Sequence, residues 1–123
     1  MLIKLKDYLT LKSREKDLKE TAMDLKGDVN AIIWDYSLPL NEVEFKTLYN
    51  LVHYIDTFIL ECFDENGKLA HKKWIQKKLI ASVIYLGSSK HTELHRIMGK
   101  VVDLENKIYL EEVQTNGKED SNS

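Results

Sequence analysis

Apolar residues recur at seven-residue intervals through the first quarter of the chain. Two positions of each heptad are apolar, and Glu15 is the single charged exception. The residues at these positions are Tyr8, Leu11, Glu15, Leu18, Ala22, Leu25, Val29, Ile32 and Tyr36. This spacing is typical of a long α-helix that packs a narrow apolar stripe against other helices. The pattern predicts a first helix that begins within the first eight residues and ends near Tyr36, with the heptad part about 43 Å long.

A helix end and a helix start follow in close succession. Pro39 cannot continue the first helix, because it lacks a backbone N–H and its ring clashes with the preceding turn. Asn41 is suited to an N-cap position, and Glu44 stands three residues later, as in a capping box. A second helix is therefore predicted to start here and to end near Phe63.

Two further helices complete the prediction, over 69–86 and 90–113. The third has lysines around its first half and is apolar on nearly all sides over 79–86, which predicts that the second half is buried. The fourth repeats apolar residues in heptad register at Leu94, Ile97, Val101, Leu104 and Ile108. The polar composition from Gln114 onward predicts a disordered tail over 114–123.

A chain of 123 residues has room for one hydrophobic core. Four helices joined by short connections predict an all-α, antiparallel four-helix bundle with a long, heptad-patterned first helix, formed by a single domain over 1–113.

The residues beside the heptad stripe indicate what it packs against. The e positions are basic and the g positions are mixed, the residues being Lys12, Lys19 and Lys26 at e and Arg14, Thr21 and Asp28 at g. Pairing with a second copy of the same helix would bring like charges together, so the stripe favours an acidic partner. The e positions of the fourth helix supply Glu105 and Glu112, which predicts contacts of Lys19 with Glu105 and of Lys12 with Glu112.

Charge and composition set broader limits. The net charge of −2 and the pI near 6.1 provide no overall field that attracts nucleic acid or an anionic membrane. The longest apolar run, 79–86, is too short to cross a bilayer, and the first residues lack the apolar core of a signal peptide. Cys62 lies within an apolar helical pattern, as expected of a buried thiol in a reducing compartment. We therefore expect a cytoplasmic protein without a membrane span.

Motifs for chemistry are scarce. His91 and His95 are four residues apart, so both rings could reach one metal ion, but zinc needs a third ligand and the stretch is not His-Glu-x-x-His. Histidines on a helix surface explain the pair at least as well. The sequence has no phosphate-binding glycine loop, nucleophile elbow or paired-carboxylate motif. We expect no metal, no cofactor and no enzymatic activity.

A basic segment near the start of the third helix supports a nucleic-acid hypothesis. It contains a tryptophan among lysines, namely Lys68, Lys72, Lys73, Trp74, Lys77 and Lys78. Lysines contact phosphates and an aromatic ring stacks on a base. These lysines nevertheless scatter around the helix axis, which favours a solvated half-helix with Trp74 packed inward beside Ala70, Ala81 and Tyr85. A nucleic-acid-binding accessory protein is therefore the alternative interpretation.

The leading hypothesis concerns protein binding. The predicted first helix is longer than the fourth, so part of it should overhang and expose an apolar strip, which usually indicates a protein partner or self-association. We expect a small non-enzymatic adaptor, inhibitor or regulator that binds another protein. Its expected contact residues are Ile33, Trp34, Tyr36, Tyr54 and Phe58. Protection against a toxin or phage component is compatible with the size of the chain alone.

Overall fold

Four helices arranged in a ring make up the described part of the chain. The computed structural model describes the backbone of residues 5–63 and 73–121 and the side chains of residues 12–63 and 74–111. The helices are α1 (Leu5–Ile33), α2 (Glu42–Glu61), α3 (Lys73–Gly87) and α4 (Thr92–Ser121). Each packs against its two neighbours, in the pairs α1–α2, α2–α3, α3–α4 and α4–α1. The predicted all-α, antiparallel four-helix bundle is confirmed.

The heptad stripe of α1 lies in the core of this bundle. Leu18, Ala22, Leu25, Val29 and Ile32 are all buried. The other helices contribute the buried residues Leu48, Leu51, Ile55, Phe58, Ile75, Leu79, Leu86, Leu94, Ile97, Val101, Leu104 and Ile108. Full burial of one such aliphatic or aromatic side chain contributes about 1.5–3 kcal/mol, so this shared core is the main source of stability.

The bounds of α1 and α4 differ from those predicted. α1 is continuous through Gly27 and has 29 residues, whereas α4 has 30. Over the described residues the fourth helix is not the shorter one, and the overhang expected from unequal lengths is not found there. α4 continues to Ser121, past the end predicted near Val113. The division of the chain into a domain over 1–113 and a disordered tail over 114–123 stays a prediction.

The e side of α1 faces α2. Lys26 Nζ lies 2.6 Å from Asp56 Oδ1 of α2. Lys19 Nζ lies 5.1 Å from the centroid of the Phe63 ring and 2.6 Å from Glu15 Oε1 within α1. The predicted contact of Lys19 with Glu105 of α4 is therefore wrong. Its counterpart, between Lys12 and Glu112, involves a side chain outside the described residues.

The g side of α1 faces α4 instead. Asp28 pairs with Lys100, and Arg14 Nη1 lies 3.5 Å from Glu111 Oε1. Lys107 Nζ donates a hydrogen bond of 3.0 Å to Thr21 Oγ1. As the residue number falls along α1 from Asp28 to Thr21 to Arg14, the number of its partner in α4 rises from Lys100 to Lys107 to Glu111. α1 and α4 therefore run antiparallel. None of the described helices has both the length and the apolar composition needed to cross a bilayer.

Candidate protein-binding surface

α3 presents large apolar side chains to solvent along its length. Trp74, Ile80, Ile84 and Tyr85 are between 45% and 70% exposed, and we call these four residues the α3 face. The prediction that 79–86 is buried holds for Leu79, Ser82 and Leu86 but is wrong for Ile80, Ile84 and Tyr85. A helix in a four-membered ring buries one side only, so a helix that is apolar on all sides must expose part of its apolar surface.

Helical spacing explains which residues of α3 face the core. Ile75, Leu79 and Leu86 follow three-four spacing and are buried. Ile80 and Ile84 are one turn apart on the opposite side. The exposed apolar side chains are therefore a direct consequence of the helical repeat.

The charge next to the α3 face is positive. Lys77 and Lys78 are both exposed, and α3 contains no aspartate or glutamate anywhere between Lys73 and Gly87. An apolar surface flanked by lysines attracts a partner whose apolar residues are flanked by carboxylates.

α2 borders the α3 face along one edge. The Trp74 ring meets the Tyr54 ring edge-on, with centroids 6.4 Å apart and planes at 83°. Further along, Val43 and Thr47 of α2 line a cavity of about 410 Å³ together with Tyr85. The aromatic contact fixes Trp74 in place while leaving it half-exposed, as is common for an aromatic contact residue.

A polar cluster around Glu44 holds the end of the bundle next to this cavity. We call it the Glu44 cluster, and its members are Asn41, Glu44, Ser89 and His91. The predicted capping box is present: the Asn41 side chain accepts from the Glu44 N–H at 2.8 Å, and Glu44 Oε1 accepts from the Asn41 N–H at 2.9 Å. Ser89 Oγ donates to Glu44 Oε2, and His91 Nε2 lies 3.8 Å from Glu44 Oε1. Thus one carboxylate links the start of α2 to the turn before α4.

The same contacts control the ionisation of Glu44. Burial favours the neutral acid, but hydrogen bonds from Asn41 and Ser89 and the nearby His91 favour the anion and together lower the pKa of Glu44. The cluster is satisfied by contacts within the chain, so we interpret it as a structural clamp.

The predicted protein-contact residues do not form one surface. Ile33 and Phe58 are buried in the core and are not available for contact. Trp34 and Tyr36 are 61% and 89% exposed and follow the end of α1, whereas Tyr54 is half-buried against α3. Helix periodicity identified these residues as apolar but could not distinguish the core side of each helix from its solvent side.

The residues of the nucleic-acid hypothesis are described only in part. Lys68 and Lys72 lie outside the described residues, as does the side chain of Lys73. Lys77 and Lys78 are exposed and share the solvent side of α3 with Trp74, which does not pack inward as predicted. The expected scatter of the whole basic segment stays a prediction.

The histidine pair gives no support to a metal site. His91 Nε2 lies 3.1 Å from the Pro39 carbonyl oxygen, and His95 Nε2 lies 2.7 Å from the Ser89 carbonyl oxygen. A ring nitrogen that donates to a carbonyl carries a proton and does not coordinate a metal. Among the described residues, no group of three or more histidines, cysteines and carboxylates is placed to hold a metal ion.

Sequence reasoning missed Ile80, Ile84 and Tyr85 as surface residues. The signal was present, since an apolar run on all sides of a helix conflicts with a ring in which every helix has a solvent side.

The comparisons with known proteins provide no family or fold relationship: no family model, no curated protein and no solved structure matches this chain. Its function has to be inferred from its own geometry.

Proposed function

We propose that this is a small non-enzymatic helical protein of the cytoplasm that acts by binding another protein through the α3 face. The observation that supports this is the exposure of four large apolar side chains, Trp74, Ile80, Ile84 and Tyr85, on one short helix. Clustered apolar surface of this kind is costly to leave in water and is typical of interaction sites. Aromatic residues in particular contribute strongly to protein–protein binding.

The end of α1 provides a weaker candidate surface. Trp34 and Tyr36 are exposed, but they lie in the turn that follows Ile33. The α3 face lies on a regular helix whose other side is anchored in the core by Ile75 and Leu79. A rigid, preformed surface loses less conformational entropy on binding, which favours the α3 face.

Affinity capture with quantitative mass spectrometry tests this proposal in extracts of the source organism. The baits are the wild type, the double variant Ile80→Ser/Ile84→Ser, the control Leu60→Ser and the variant Trp34→Ala. Leu60 is an apolar α2 residue that is 80% exposed, which makes it a matched control. We expect one discrete protein whose recovery falls about tenfold or more with the double variant and is unchanged with Leu60→Ser. The purified pair should then bind directly with the same ranking of variants.

Two results would contradict the proposal. Equal recovery of every protein with the wild type and the double variant removes the α3 face as a binding site. Loss of a partner with Trp34→Ala alone transfers the site to the end of α1.

Nucleic-acid binding is the second candidate, and one observation favours it. Trp74 is half-exposed on the same side of α3 as the exposed Lys77 and Lys78, an arrangement that suits base stacking beside phosphate contacts. Fluorescence anisotropy with labelled single-stranded RNA and DNA tests it. Binding through phosphates should weaken steeply between about 50 and 200 mM salt and be lost in Lys77→Glu/Lys78→Glu. Absence of binding at the lower salt concentration eliminates this candidate.

A further inference from the structure

We infer that the protein partner presents an acidic amphipathic helix, which lies in the groove between α2 and α3. This inference rests on the proposed protein-binding function and specifies the kind of partner. The groove, called the α2–α3 groove from here on, is lined by Val43, Thr47, Tyr54, Trp74 and Tyr85.

The register of the two helices gives the groove its shape. The contact between Tyr54 and Trp74 in antiparallel helices sets Thr47 opposite Ala81. Val43 and Tyr85 come opposite each other at the far end, where they line the cavity of about 410 Å³. This cavity is the concave end of the groove, and the small side chain of Thr47 lines it.

The dimensions of the groove fit a short helix. At a rise of 1.5 Å per residue, the interval from Trp74 to Tyr85 is about 16 Å, or three helical turns. A helix of this length presents apolar residues at i, i+3 or i+4 and i+7, which is the spacing of helices bound in apolar grooves. The described part of the chain offers no sheet edge to which an extended peptide could add, so side chains have to provide the recognition.

The charges around the groove select an acidic partner. Its α3 wall carries the exposed Lys77 and Lys78, and Lys90 lines the cavity end. Its α2 wall is uncharged at Val43, Thr47 and Tyr54.

One carboxylate does lie at the cavity end, but it is not available to a partner. Glu44 is nine-tenths buried and accepts from Asn41 and Ser89. A second copy of the chain, if bound through the same face, would bring its α3 lysines against this basic surface. Such like-charge contacts disfavour self-association and leave a helix flanked by aspartate and glutamate as the matching partner.

Selection from a display library of random peptides, long enough for four helical turns, tests the inference with the full-length protein as bait. Enriched peptides are synthesised, and their affinities are measured by titration together with their circular dichroism when bound. We expect three-four spaced apolar residues flanked by Asp or Glu, a gain of helical signal on binding, and weakening of about tenfold in Lys78→Glu. Lys16→Glu is the matched control, because Lys16 is 77% exposed on α1, away from the groove, and should leave the affinity unchanged.

The alternative outcomes separate this inference from the proposed function. Peptides that lose binding in Tyr85→Ser but are basic or bind without helical signal overturn the acidic helix and leave the α3 face as a binding site. Peptides that bind equally well to Tyr85→Ser and to Ile80→Ser/Ile84→Ser overturn both. A concentration-dependent dimer that Tyr85→Ser converts to a monomer also overturns the inference, because the occupant of the face is then a second copy.

Discussion

Glu44 is the single residue with the clearest predicted effect on stability. Its carboxylate accepts from Asn41 and Ser89, so the amide in Glu44→Gln removes the charge from both hydrogen bonds. We expect the free energy of unfolding to fall by about 1–2 kcal/mol at pH 7, as for the loss of hydrogen bonds to a charged group. Urea denaturation measures this loss, and Glu42→Gln, an exposed carboxylate in the same first turn, serves as the control.

The pH dependence of this effect follows from the lowered pKa of Glu44. A carboxyl whose pKa is lower in the folded state contributes stability above its ordinary value of 4.5 and loses it as the pH falls through the folded value. The difference between wild type and Glu44→Gln should therefore shrink in acid. A difference that is constant between pH 7 and acid would show that ionisation of Glu44 is not the cause.

The same residue shows which contacts a sequence can predict. The capping box of Asn41 and Glu44 depends on residues three apart, and local spacing was sufficient to identify it. The contact of Glu44 with Ser89 joins residues 45 apart, and it forms only because the ring brings the turn before α4 beside the start of α2. Local patterns carry no information about such contacts.

At the scale of whole helices, charge pairing sets how α1 lies against α4. Asp28 of α1 pairs with Lys100 of α4, and both side chains are partly exposed. We expect each single variant, Asp28→Lys and Lys100→Asp, to lose about 0.5–1 kcal/mol, and the double variant to recover most of that loss. A double-mutant cycle from chemical denaturation measures the coupling free energy between the two residues.

A matched reversal provides the control for this cycle. The pair of Lys16 and Glu20 within α1 has a separation of 3.9 Å, and both side chains are mostly exposed. Its reversal should give much less coupling than reversal of Asp28 and Lys100. If the double variant Asp28→Lys/Lys100→Asp is no more stable than the singles, charge pairing does not guide the packing of α1 on α4.

The arrangement of helices could be predicted from sequence further than their contacts could. Heptad spacing identified α1 and its buried stripe, but Lys19 at an e position was assigned to α4 and in fact faces α2, as does Lys26. Four antiparallel helices can follow one another clockwise or anticlockwise around the ring. In one arrangement the e side of α1 faces α2 and the g side faces α4, and in the other arrangement the two sides exchange these neighbours. The heptad pattern is the same in both cases, so the direction of the ring depends on packing and charge along the whole chain.

The molecule as a whole divides its apolar residues between a core and an exposed face, and α3 contributes to both. Leu79 is fully buried and packs in the core, whereas the adjacent Ile80 is half-exposed. If the α3 face is kept for a partner, its residues should contribute to binding and very little to folding. Core residues such as Leu79 should instead contribute to the free energy of unfolding and make no contribution to binding.

Stability measurements on α3 variants test this division. Ile80→Ser/Ile84→Ser should change the free energy of unfolding by no more than about 0.5 kcal/mol per residue, since the sites are exposed and the two residue types differ little in helix propensity. Leu79→Ala should lose about 2–5 kcal/mol through lost burial and a new cavity in the core. Urea denaturation followed by circular dichroism measures both. A loss in the double variant as large as that in Leu79→Ala would mean that the chain itself covers the α3 face when folded, and a protein partner would then have to bind elsewhere.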